Sequence, residues 1–257
     1  MNWKVRYIIF TIGEYMHTIT EQFALDIGCS IADLTTDVFC YGQPTKEMFS
    51  YHRFAGVALI YQGKLYVRAN SAPLLAQLKK QYQGKNNQWF FELQNIQTFQ
   101  AILAENGYSL NEWGTFLLPQ KIVNKEDEAI KIFYEEDIKQ FKNQKNFDQC
   151  FADSDEDPDK IGVAYQMNGE IIGMAGCNEN GEYCYEIGMN ILPHYRKQGL
   201  ATKLIQKLTA EIRHGTNNTK IPVARTEFSH TDSINAFLNA GYKMGWTAIS
   251  FVKKDDD

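Results

Sequence analysis

Apolar residues first recur at helical spacing at Met16, Ile19, Phe23 and Ile27, which places them on one face of a helix. Thr11-x-x-Glu14 ahead of them has the form of a capping box, and Gly28 is a suitable stop. The runs Ala55–Ile60 and Lys64–Arg68 flank Gln62-Gly63 and predict a hairpin. Ser71 is a candidate cap for a helix carrying Leu74, Leu75, Leu78 and Tyr82. Asn95 is a candidate cap for another, through Ile96, Phe99 and Leu103 to Gly107. Leu117, Leu118 and Pro119 then lead into the charged stretch Lys121–Lys131. A boundary is expected there, between an α/β domain over 1–125 and a second domain over 126–257.

The second half has a clearer rhythm. A helix carrying Ile138 and Phe141 precedes the acidic loop Asp153–Asp159. Strand Ile161–Gln166 turns at Asn168-Gly169, where both residues tolerate positive φ, into Glu170–Cys177. Asn180-Gly181 offers a second such turn into strand Glu182–Ile191, which Pro193 ends. Leu204, Ile205, Leu208 and Ile212 line one side of a helix over Leu200–Ile212. Strand Ile221–Thr226, helix Thr231–Ala240 and strand Trp246–Val252 complete the order α-β-β-β-α-β-α-β. The fold class is α/β, with a mixed, mainly antiparallel sheet flanked by helices in the second domain.

Composition narrows the partners. The 257 residues are 44% apolar and 22% charged, values of an ordered globular protein of one large or two modest domains. The net charge of −5 argues against a nucleic-acid partner. No apolar run reaches membrane-spanning length, and the N-terminal apolar stretch is too short for a signal peptide. A cytoplasmic location is therefore expected. The five cysteines include no C-x-x-C pair and read as reduced, packed thiols, Cys184 included. The histidines form no H-x-x-x-H pair, so no zinc site is expected. Asp153-x-Asp155-x-Asp157 imitates the start of a calcium loop but has Pro158 and Ala164 where glycine and glutamate are required.

The chemistry concentrates where the third strand of this half ends. A short loop carries Arg196-x-x-Gly199-x-Ala201, and a helix opens at once. The first amides of a helix lack intrahelical partners and sit at the positive end of its dipole. Gly199 and the small Ala201 let an anion approach, and Arg196 and Lys197 add positive charge at the same mouth. Neither a dinucleotide fingerprint nor a Walker loop is present.

This loop resembles the [QR]-x-x-G-x-[GA] signature of the GNAT-type N-acetyltransferase superfamily. Asn168–Gly176, Glu186–Arg196 and Ser233–Trp246 resemble that family's third strand, fourth strand and last helix with its Gly-aromatic turn. The resemblance covers about residues 130–253, and the longer zwittermicin-resistance-like subfamily, with an extra N-terminal domain, is the most similar branch. It implies acetyl-CoA as donor, with no metal, and a primary amine of a small molecule as acceptor. The amides of Lys197, Gln198, Gly199, Leu200 and Ala201, with Arg196, Thr202 and Lys203, would hold the coenzyme A pyrophosphate. The family splays its fourth and fifth strands, so backbone groups near Met189, Asn190 and Ile191 would pair with pantetheine, and one N–H could support an oxyanion. Ser233 would also face the cofactor. Attack on the thioester would be direct, with positioning supplying much of the acceleration. The N-terminal domain is either a degenerate copy of the same fold or a substrate-binding cap, and a cleft between the domains would suit the acceptor.

An ammonium acceptor must lose a proton. Glu186 is the first candidate base; regular alternation would put it on one face with Glu182, Cys184 and Asn190, and a bulge, which the family often has here, would swap the faces. Glu227 and His230, just past the fifth strand, are weaker candidates. Two departures from the family matter. Where many members carry a general-acid tyrosine, four residues before Gly241, this chain has Phe237. Tyr242 or Tyr185 would then supply the proton, or thiolate would leave unaided. His230 stands where members often carry asparagine. Alternatives are a catalytically weak acyl-CoA-binding sensor and a protein N-acetyltransferase. His52 and Arg53 are undecided as cleft residues.

Overall fold

The computed structural model describes residues 6–8, 12–124, 126–142 and 144–254, with side chains from residue 18 onward. In chain order the elements begin with β1 (Arg6–Ile8), α1 (Ile12–Ile27), β2 (Val38–Tyr41), β3 (Gly56–Tyr61), β4 (Lys64–Ala69), α2 (Ala72–Tyr82) and α3 (Leu93–Glu105). There follow β5 (Tyr108–Pro119), β6 (Ile122–Asn124), β7 (Ile130–Tyr134), β8 (Asp159–Met167), β9 (Glu170–Glu179) and β10 (Cys184–Ile191). The last are α4 (Leu200–Gly215), β11 (Ile221–Thr226), α5 (Thr231–Ala240) and β12 (Tyr242–Lys253). Two compact units result, one of Ile19–Thr115 with Gly245–Asp257, the other of Met1–Thr18 with Phe116–Met244. The expected single boundary at 125/126 differs from this. The chain crosses between units at 18/19, 115/116 and 244/245.

The reason lies in β12. Its residues Thr247–Phe251 run antiparallel to β3, Thr247 opposite Ile60 and Phe251 opposite Gly56. In the unit of Ile19–Thr115 the strand order is β2, β4, β3, β12, β5. Ile249 and Phe251 are buried there with Val67, Leu74, Phe99 and Leu103. Local signals act as expected: Gln62 and Gly63 both take positive φ, and the Ser71 side chain accepts the Leu74 N–H. Asn95 is not a cap. It lies inside α3, whose N-cap is Glu92, and its side chain donates to the Trp89 carbonyl at 2.7 Å. The predicted Thr11 cap lies outside the described residues. His52 is fully buried, its Nδ1 2.7 Å from Asp26 Oδ2. Arg53 donates to the Met48 carbonyl. Arg68, also fully buried, donates to the carbonyls of Asp26, Gly42, His52 and Phe54. Burial pushes its pKa down, and Asp26 opposes that shift.

The other unit orders its main strands β5, β11, β10, β9, β8, β7, with β1 and β6 paired apart. From β7 to β10 each strand is antiparallel to its neighbour, and β10 to β11 is parallel. One sheet face packs on α4. Tyr185 and Ile187 of β10 are buried there with Leu204, Ile205, Leu208 and Ile212, the stripe read from the sequence. The opposite face carries a row of three glycines in register, Gly162 with Gly176 and Gly176 with Gly188. Their lack of side chains admits the segment 149–151. A Cβ on Gly188 would run into the Gln149 carbonyl, and one on Gly176 into Phe151 and the Cys150 carbonyl. Asn190, on the same face as Gly188, fastens that segment: its Oδ1 accepts the Gln149 N–H at 2.8 Å and lies 3.5 Å from Cys150 Sγ.

Two expectations for this unit need correction. The stretch carrying Ile138 and Phe141 is a short 3-10 turn, Glu135–Phe141, too brief to build an α-helix. Strand β10 starts at Cys184, so Glu182 lies before it. Of Asn180 and Gly181, only Gly181 takes positive φ, so the connection is no two-residue hairpin. Asn168 and Gly169 both do, as expected.

Gly188→Ala should destabilise the fold by roughly 1–3 kcal/mol, because the neighbour is backbone and cannot move aside cheaply. The urea unfolding midpoint measures this, and a midpoint equal to the parent's would remove the close approach as a constraint.

Candidate functional site

β10 is paired unequally with its neighbours. Against β9 the register runs unbroken from Tyr185–Glu179 to Ile191–Gly173. Against β11 it covers Cys184–Ile221, Tyr185–Pro222 and Glu186–Val223 and goes no further. β10 continues to Ile191 and β11 to Thr226, so the strands fork after Glu186. The Leu192 N–H donates to Ile172 on the β9 side. Alternation therefore aims the backbone groups of Met189 and Ile191 towards the β11 side, into the fork. The Ile191 carbonyl is taken by Arg196 Nε at 3.0 Å. Met189 and Ile191 set their side chains against the α4 core, while the Asn190 side chain is on the other face, holding segment 149–151.

The loop beyond β10 leads directly into a helix mouth. Pro193–Tyr195 forms one 3-10 turn. Lys197 and Gly199 both take left-handed conformations, φ 61° and 79°. Gly199 is the N-cap of α4 and makes no side-chain cap. The first bond of the helix is Lys203 N–H to the Gly199 carbonyl, so the amides of Leu200, Ala201 and Thr202 belong to the unsatisfied first turn. A Cβ on Gly199 would meet nothing within 4 Å. The space above the turn is open, and the positive φ is what demands glycine there. Arg196, Lys197 and Gln198 are exposed, and Gln198 Nε2 reaches the His194 carbonyl at 3.3 Å. Thr202 Oγ1 lies 3.5 Å from the Ala236 carbonyl of α5, the helix that carries the half-buried Ser233. Lys203 does not stand free over the mouth. Its Nζ is 3.1 Å from Asp127 Oδ2 and 5.3 Å from the centre of the Tyr165 ring. The Asp127 hydrogen bond holds its pKa above the usual lysine range.

The proton-transfer candidates separate clearly. Alternation places Cys184, Glu186, Gly188 and Asn190 on the face away from α4, as a regular strand requires. Glu186 stands at the vertex of the fork, and the Asn180 amide donates to its Oε2 at 2.6 Å. Glu227 is exposed and 3.1 Å from Arg225. His230 is exposed as the N-cap of α5. Tyr242 is a correction. It is 4% exposed, its hydroxyl is 2.6 Å from Thr209 Oγ1, and its ring sits against Phe237. Thr209 is nine residues along α4 from Leu200, about 13 Å from the helix mouth, so the Tyr242 hydroxyl is a core group. Tyr185 is also turned to the α4 side, and burial, with Glu179 nearby, pushes its pKa up to about 12. Cys184 is buried. Among the described residues no cluster of His, Cys, Asp or Glu could hold a metal ion, and no helix is long and apolar enough to cross a membrane.

Sequence reasoning missed three participants. Asn180 was read only as a turn residue. Asp127 was read only as part of a charged stretch. Gln149 has no motif at all. The glycine row was the available signal for the last, since three glycines in adjacent strands invite a close backbone approach.

The model of the family described as acetyltransferase (GNAT) matches residues 127–242. Among solved structures, an acetyltransferase from the GNAT family of Colwellia psychrerythraea is 19% identical with TM-score 0.41, covering 61% of this chain and 62% of that one. A GCN5-related N-acetyltransferase from Kribbella flavida is 15% identical with TM-score 0.44, covering 61% and 63%. A GCN5-related N-acetyltransferase-like protein from Streptococcus suis is 13% identical with TM-score 0.43, covering 94% and 100%. The first two matches span less than two thirds of those proteins' length. No protein of curated function matched the sequence.

Tyr242→Phe should cost about 1 kcal/mol of stability for the lost Thr209 bond and leave turnover within about twofold. A large fall in kcat from a folded variant would restore Tyr242 as a proton donor.

Proposed function

Residues 127–242 belong to the acetyltransferase (GNAT) family, and from that premise we propose that the protein is an acetyl-CoA-dependent N-acetyltransferase acting on a primary amine of a small molecule. The family's fold supports acyl transfer. The single observation that carries the finer reading is the fork beside Glu186, opening towards the helix mouth at Gly199. The residues suit coenzyme A in two independent ways. The open left-handed turn at Lys197–Gly199 leaves space at the first amides of α4, where a pyrophosphate gains from both hydrogen bonds and dipole. The β10 edge at Met189 offers strand-like pairing to an extended amide chain. When bound, the thioester supplies an activated acyl group and a good leaving group.

The chain's own residues then do the following. Arg196 and Lys197 raise the positive potential at the turn. Glu186 accepts the proton of the acceptor ammonium, directly or through one water, so that a neutral amine presents its lone pair. The backbone N–H groups facing the fork stabilise negative charge that develops on the carbonyl oxygen. No hydroxyl is assigned to the departing thiolate, because Phe237 has none and Tyr242 is in the core. That same lack favours one second reading, an acyl-CoA-binding sensor without turnover.

The test is thiol release from acetyl-CoA with a panel of primary amines, paired with calorimetry. Turnover is expected. Glu186→Gln should lower kcat about a hundredfold or more while coenzyme A affinity is kept. The loss should be greatest where the acceptor is still fully ammonium and should shrink at high pH, where free amine needs no base. Binding heat with no thiol from any amine would favour the sensor. Gly199→Ala forces an L-residue into left-handed backbone at roughly 1–2 kcal/mol. It should weaken coenzyme A binding about 5- to 30-fold, and unchanged affinity would sink the pyrophosphate assignment.

A further inference from the structure

We infer that Asn180 is a positioning residue for Glu186, holding its carboxylate in one orientation and in the ionised form at the fork. The inference rests on the reading of Glu186 as the base. Asn180 is 1% exposed and lies in the connection from β9 to β10. Its backbone N–H donates to the Cys184 carbonyl at 3.0 Å, which ties the residue to the first position of β10. Its side-chain amide donates to Glu186 Oε2 at 2.6 Å. A turn asparagine earns its place by adopting positive φ or by bonding to nearby backbone. Asn180 does not have positive φ; Gly181 takes that part, at 79°. Its amide is spent on a carboxylate six residues ahead. Asn178 sits directly across from Glu186 in the register, yet its amide is directed to the Glu179 carbonyl at 3.4 Å. The turn residue, not the facing one, holds the carboxylate.

The chemistry of an amide N–H makes this more than packing. It can only donate, so it favours the ionised carboxylate over the protonated one. A bond to a charged acceptor is also the stronger kind and restricts the rotamer. Charged groups lie on every side of this row. Asp159, beyond Asn178 in the register, accepts the Ala152 and Asp153 N–H groups. Glu179 is engaged by Lys160 and Lys220. Arg225 on β11 contacts Glu227. Cys184 shares the Glu186 face as a buried thiol. Asp148 immediately precedes the segment 149–151 fastened over that face.

The experiment is a carbon-13 NMR titration of the Glu186 carboxyl in the full chain, assigned by its loss in Glu186→Gln, for the parent, Asn180→Ala and Asn180→Asp. The same three are assayed across pH with acetyl-CoA and spermidine as probe. Asn180→Ala should move the Glu186 midpoint up by about one pH unit. Asn180→Asp, nearly the same shape, should move it at least as far, because two carboxylates so close cannot both ionise easily. The acid limb of kcat/KM should follow by the same amount, with coenzyme A affinity unchanged and with no further effect of Asn180→Ala in the Glu186→Gln background. If Asn180→Ala fails to fold, the aspartate variant carries the comparison. Midpoints equal to the parent's in the folded variants overturn the inference. If the midpoints move but Glu186→Gln keeps its full rate, the base assignment fails while the hold of Asn180 on Glu186 stands.

Discussion

β10 is held along its whole length by β9 and over only three residues by β11, and this inequality organises the candidate site. A strand paired on one side only is mobile unless something else fixes it. Here the fixing comes from above and below the sheet. Tyr185, Ile187, Met189 and Ile191 are clamped into the α4 core, and Asn190 is bound to the backbone at Gln149 on the other face. The glycine row makes that second clamp possible, since any side chain at Gly188 would hold the segment away. Rigid on both faces, β10 can leave its β11 edge open without fraying, and Glu186 stands where the opening starts.

Electrostatics act on a smaller scale than this geometry. The chain carries a net charge of −5, yet the mouth of α4 gathers Arg196, Lys197 and Lys203 at the positive end of a 16-residue helix. Lys203 is half exposed, and its pair with Asp127 is worth at most about 1 kcal/mol in solvent. Fixed amides and a turn locked by two left-handed residues present the same groups at no ordering cost. On the proposed reading, the backbone sets where the pyrophosphate rests, and the side chains adjust how strongly it is drawn there.

What could be read in the sequence follows from how local each cause is. The helix mouth at Gly199, the Asn168-Gly169 turn, β11 and α5 depend on residues adjacent in the chain, and their bounds match closely. The GNAT resemblance came from the same short-range strings. Long-range pairings were not legible. β5 was missed because its burial runs from the buried Tyr108 through three exposed residues, 111–113, to a continuously buried second half, so neither alternation nor a short apolar run marks it. Nothing near β12 shows that it completes the sheet containing β3. Asn180 was misread because Asn-Gly is so good a turn signal that the reach of its side chain was not considered. Tyr242 kept a catalytic reading because its spacing from Gly241 is visible and its Thr209 partner, 33 residues away, is not.

The passage of β12 into the unit of Ile19–Thr115 bears on how the chain is made. That unit's core needs Ile249 and Phe251, and its sheet needs the strand between β3 and β5. A ribosome emits these only after all of residues 116–244. Residues 19–115 must therefore wait through the synthesis of more than half the chain with an apolar sheet edge unfilled, a state prone to aggregation. That unit cannot close until β12 has been made, so the pressure for chaperone protection falls on residues 19–115.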